Sequence, residues 1–74
     1  MVHDIKIFPA YFDQIISGDK TFEIRYNDRD YKIGDVLRLH SKEYIKRVTS
    51  VRVKYIFSDF GLLPGWVVMG ITII

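Results

Sequence analysis

Six polar residues with chemistry-bearing side chains lie close together: Lys20, Glu23, Arg25, Asn27, Asp28 and Arg29. Glu23 and Arg25 are two apart in a stretch that reads as a strand. Both side chains then project from one face, with α-carbons about 7 Å apart. A guanidinium offers a planar fork of donors suited to phosphate, and a carboxylate accepts from a base amino group. Lys20 adds a point charge at the start of the same stretch. Asn27, Asp28 and Arg29 follow in a polar loop that can close over a ligand, with Tyr26 or Tyr31 available to stack on a base. The set can bracket one nucleotide. The same residues also make an ordinary ion-pair cluster, Glu23 with Lys20 or Arg25, beside an Asx turn at Asn27-Asp28. Residue types alone leave both readings open.

The elements that must position this cluster follow from periodicity. His3, Ile5 and Ile7 alternate with Asp4 and Lys6, which predicts a short strand. Pro9 opens a helix, because its fixed φ and missing N–H suit the first turn. Tyr11, Phe12, Ile15 and Ile16 form its apolar stripe, and Gly18 stops it as a left-handed cap. Lys20 to Arg25 is the next strand, with Phe22 and Ile24 on one face and Thr21, Glu23 and Arg25 on the other. A tight turn at Lys32 to Asp35 leads to a strand from Val36 to Ser41, with Leu37 and Leu39 inward. A turn or short strand follows near Ser41 to Lys46. Val48 to Phe57 is the longest strand, with Val51, Val53, Tyr55 and Phe57 as its apolar face. Pro64-Gly65 marks a turn before a last strand, Trp66 to Ile74, apolar on both sides and expected to be covered on both. The fold class is mainly β with one helix (α+β): a single domain over residues 1–74, a small barrel of five to six mostly antiparallel strands with the helix after the first strand.

Gly18, Lys20, Glu23 and Arg25, followed by Gly34-Asp35, match in order and spacing a pattern of helix, G-x-K-x-x-E-x-R strand and G-D turn. In this the chain resembles the ASCH domains, relatives of the PUA fold. The fuller string through Asn27-Asp28-Arg29-Asp30 and the Gly65-Trp66-Val67-Val68-Met69-Gly70-Ile71 strand is similar to a compact, largely uncharacterised bacterial and phage subfamily. The resemblance implies a PUA-like barrel and binding of RNA or a nucleotide. One ASCH group acts as an acetylcytidine amidohydrolase through a lysine, a threonine and a distant glutamate. Lys20 matches the lysine position, Glu23 stands at the threonine position, and after Glu43 only Asp59 supplies a carboxylate. Lys20 and Glu23 are therefore the catalytic candidates of an alternative, hydrolytic reading.

Composition narrows the partners. With no cysteine and two histidines, thiolate chemistry and cysteine-based zinc sites are excluded, and no metal or other cofactor is expected. No apolar run approaches the roughly 20 residues that span a bilayer, so the chain reads as cytoplasmic with no membrane partner. Net charge is only +2, but Arg38 to Phe57 carries six basic residues against Glu43 alone. That basic stripe suits a polyanion, with Arg52 and Lys54 extending a nucleic-acid contact, or a solvated strand face. The expected partner is RNA, single-stranded nucleic acid or a nucleotide. A protein-interaction module that pairs as a homodimer through the apolar C-terminal strand is the third reading.

Overall fold

The computed structural model describes all 74 residues. The alternation at the N-terminus becomes β1 (Val2–Ile7), which buries His3, Ile5 and Ile7 and exposes the residues between them. Pro9 sits in the first turn of α1 (Pro9–Ser17), and Gly18 caps it at φ 86° with its N–H on the Ile15 carbonyl. Phe12 and Ile15 face the core, whereas Tyr11 and Ile16 are about half exposed, so the buried stripe is narrower than the sequence pattern. Four further strands follow: β2 (Phe22–Tyr26), β3 (Val36–Ser41), β4 (Val48–Phe57) and β5 (Trp66–Ile73). Residues 42–46 form no strand, which settles the number at five.

The sheet runs β1-β3-β4-β5-β2. β1 pairs parallel with β3, and the other three pairings are antiparallel. The sheet curls into a half-barrel around one core, to which β1, α1, β3, β4 and β5 all contribute. Leu37, Leu39, Val51 and Met69 lie at its centre with 0% exposure. Fully burying side chains of this size contributes about 1.5–3 kcal/mol each. β2 adds no apolar residue to this core. It turns Glu23 and Arg25 inward and leaves Phe22, Ile24 and Tyr26 exposed, reversing the usual arrangement of a strand.

Two expectations are corrected by the register. A bulge between Val53 and Tyr55 shifts the frame of β4, so that Ile56 stands opposite buried Met69 and packs on the core. Tyr55 and Phe57 are thereby turned outward, opposite Gly70 and Val68, and leave the face that Val51 and Val53 occupy. β5 is covered on one side only: Val67, Met69 and Ile71 are buried, while Trp66 remains 39% exposed on the other face. The single helix packs Phe12 and Ile15 into the concave side, and no second layer is left for the convex one.

The convex face therefore has two halves. Across β2, β5 and β4 the register stacks Phe22–Gly70–Tyr55, Ile24–Val68–Phe57 and Tyr26–Trp66. Across β1 and β3 it is polar: Arg38 grips Asp4 with both arms of its guanidinium at 2.7 and 2.9 Å, and His40 Nε2 lies 2.8 Å from the same carboxylate. The Arg38 fork and His40 hold the Asp4 carboxyl well below the usual carboxylate range. Much of the basic stripe is thus engaged within the chain. Arg47 donates to Glu43 and Asp13 at 2.7 Å each, and Arg52 donates to the Gly34 carbonyl at 2.7 Å.

Candidate functional site

The half-barrel does not close through backbone pairing. Met1 and Ile7 give their carbonyls to Val36 N–H and Lys42 N–H on the β3 side, so the carbonyls of Asp4 and Lys6 point the other way, toward β2. Two arginines reach them. Arg25 Nη2 donates to the Lys6 carbonyl and Arg29 Nη1 to the Asp4 carbonyl, both at 2.6 Å. Side chains from β2 and its following loop thus latch the free edge of β1.

Beside this seam, α1, β1 and β2 enclose a cleft of about 950 Å³. Glu23 is its most deeply placed charge, 4% exposed. Its two carboxylate oxygens are shared out, Oε1 accepting from Lys20 Nζ at 3.0 Å and Oε2 from Arg25 Nε at 2.8 Å. Lys20 Nζ also stands 4.3 Å from the Tyr11 ring centre and 5.4 Å from that of Phe22, so the ammonium is held between a carboxylate and two π-faces. Lys42 lies in the same way 4.9 Å from the Phe8 ring centre. The cleft can therefore offer cations to an anion, ring faces to a planar group and one deep carboxylate.

Five of the residues expected at a site, Lys20, Glu23, Arg25, Asp28 and Arg29, line this one cleft. Asn27 lies beside it as a turn residue, its Oδ1 accepting from the Tyr31 N–H at 2.8 Å. Arg52 and Lys54 stand on β4, and neither lines the cleft. Tyr31 is a core residue, 4% exposed with its ring edge-on to His3 at 4.9 Å, which corrects its expected role as a free stacking face. Burial pushes its phenol above the ordinary value. Tyr26 keeps an exposed ring, packed edge-on against Trp66 at 5.9 Å. Tyr11, Phe8, Lys6 and Lys42 also line the cleft, although the motif spacing does not single them out. Tyr11 sits one residue off the Phe12–Ile15 stripe, and that offset was the available signal.

Behind the cleft, His3 and Asp35 form a buried pair, Nε2 to Oδ2 at 2.8 Å. Asp35 also accepts from the Lys32 N–H at 3.1 Å, closing the turn at Gly34-Asp35. The bond to His3 is the main cause holding the Asp35 carboxyl down to about 2. Asp35 thus holds a side chain as well as backbone. No three His, Asp or Glu side chains converge to hold a metal ion, and no helix is long and apolar enough to cross a membrane.

Comparison with known proteins places this geometry in a family. A protein of Escherichia phage P2, described as an uncharacterized 12.9 kDa protein in the GpA 3′ region, is 36% identical over 66 residues. The match covers 88% of this chain and 59% of the phage protein, so the chain spans little more than half of that relative's length. The crystal structure of hypothetical protein PH0355 superposes with a TM-score of 0.70 over 100% of both chains at 20% identity, a likeness of fold. The family model described as a domain of unknown function, DUF3850, matches residues 2–71, and the chain belongs to that family.

Proposed function

We propose that this domain is an ASCH-like, PUA-related module that binds single-stranded RNA or a nucleotide in the cleft between α1, β1 and β2. The observation that carries the reading is an excess of unneutralised cation around ring faces. Arg29 is satisfied by a neutral carbonyl, Lys42 by the Phe8 ring, and Lys6 makes no ion pair, three cations in the lining against two carboxylates without an ion pair, Asp19 and Asp28. Such cations retain attraction for phosphate, while the exposed Phe8 and Tyr11 rings of the lining supply faces on which a base can stack. Glu23 gives a carboxylate for a base amino group. An amidohydrolase would need a free amine at Lys20. Its Nζ instead donates to Glu23 and faces Tyr11, contacts that suit an ammonium.

The test is binding of short labelled RNA and single-stranded DNA at low and moderate salt, with Lys6→Ala and Lys42→Ala variants. These lysines are chosen because Arg25 also latches the seam. The expected result is salt-sensitive binding weakened roughly tenfold by either substitution, the loss of about 1.4 kcal/mol per contact. Absence of binding to both polymers at low salt overturns the reading. Binding unchanged in both variants overturns the assignment to this cleft.

A further inference from the structure

The convex face of β2, β5 and β4 shares Phe22, Ile24, Tyr26 and Trp66 with the rim of the cleft but turns away from its deep charges, and it is the least ordinary surface of the molecule. We propose that a second copy of this chain covers it, forming a two-fold dimer. The three cross-strand rows place Ile24, Val68 and Phe57 at the centre, with aromatic side chains in the rows on either side. No charged residue stands among them. Phe22, Ile24, Tyr26, Tyr55 and Trp66 keep between 39% and 60% of their surface exposed. With side chains of 150–250 Å² apiece, the patch presents about 500 Å² of mostly apolar area, at the top of what monomers leave in water.

The area decides the occupant. Two such faces in contact remove about 1,000 Å² in total, the threshold of a specific interface, before any contribution from the rim. Phe60 and Leu63, 92% and 73% exposed in the loop that leads to Trp66, are available to add to it. Gly70 leaves a notch between Phe22 and Tyr55, so small and large side chains adjoin within one face, the relief a self-complementary contact requires. A nucleic acid is less well served. The rows themselves hold no cation for phosphate and Arg52 is turned to the Gly34 carbonyl, which leaves exposed Lys54, beside Tyr55, as the cation on this stretch of β4.

Trp66 is the sole tryptophan and lies within the patch, so it reports directly. The experiment follows its emission and the sedimentation mass of the intact chain from micromolar to millimolar concentration. The expected result is a concentration-dependent doubling of mass with a blue shift of Trp66, and dissociation constants raised at least tenfold by Ile24→Lys and by the milder Tyr55→Ser. Both positions point to solvent in the monomer, and circular dichroism checks that both variants fold. Val48→Lys, at the start of β4 opposite His40 and away from the three rows, leaves the dimer unchanged. A wild-type monomer throughout overturns the proposal. So does a dimer that both folded variants retain, and so does a monomer whose binding of single-stranded RNA is lost on Tyr55→Ser, at a face residue outside the cleft, which would give the face to nucleic acid.

Discussion

Arg25 joins the two ends of the sheet: from β2 its Nη2 reaches the main-chain oxygen of Lys6 on β1 at 2.6 Å, while its Nε holds Glu23 at 2.8 Å. One side chain therefore closes the barrel and orders the deepest charge of the cleft.

Breaking that link separates two roles. Arg25→Ala is expected to destabilise the domain by about 2–3 kcal/mol, since it strips a partner from buried Glu23 and frees a carbonyl. Arg29→Ala removes only the bond to Asp4 and is expected to cost about 1 kcal/mol. Urea denaturation of both variants measures the difference; equal losses would mean that the carbonyl latch, and not the tie to Glu23, is what matters.

Acid should find the His3–Asp35 pair. The folded Asp35 carboxyl is held down to about 2, below the roughly 3.9 of an unfolded aspartate. Its contribution is complete above about pH 4 and is lost as the pH falls toward 2. Asp4 and Glu43, both lowered by arginine partners, add acid sensitivity of the same sign. Asp35→Asn should be less stable than wild type at neutral pH, and the gap should narrow on acidification. A gap constant from pH 6 to 2.5 would remove the pair from the account.

Two glycines should respond unequally to alanine. Gly65 has φ 87°, and a Cβ there would stand 2.6 Å from Tyr26 Cε1, so Gly65→Ala should cost about 1–3 kcal/mol and displace the Tyr26 ring. At Gly70 the same Cβ meets Tyr55 alone, its Cβ at 3.5 Å and its backbone N at 4.0 Å, both ordinary contacts. Gly70→Ala should fall within about 0.5 kcal/mol of wild type. Thermal melts of the two variants suffice as the check.

The sequence disclosed the elements better than their faces. The Pro9 start, the Gly18 cap and the inward Leu37 and Leu39 follow from local rules and stand in the structure as read. Tyr55 and Phe57 were misplaced because a bulge has no period: one extra residue inverts everything after it, and nothing in Lys54 announces that. The Lys20–Glu23–Arg25 grouping was legible from spacing alone. That Arg25 and Arg29 would hold β1 carbonyls was not, because the adjacency of β1 and β2 arises from the curl of the sheet. Tyr31 looked like a loop aromatic and became core for the same reason.

The strand order has a consequence for how the molecule assembles in time. Only β3–β4 and β4–β5 join neighbours in the chain; β1 must wait for β3, and β2 for β5, whose partners lie 40 to 48 residues later. Short loops close sooner than long ones, so the three-stranded meander is the natural nucleus and the first 31 residues dock last. Most of the cleft belongs to that late-arriving segment. Any ligand that gripped both docked edges would act on the final step of folding and stabilise the whole domain from its most weakly anchored part.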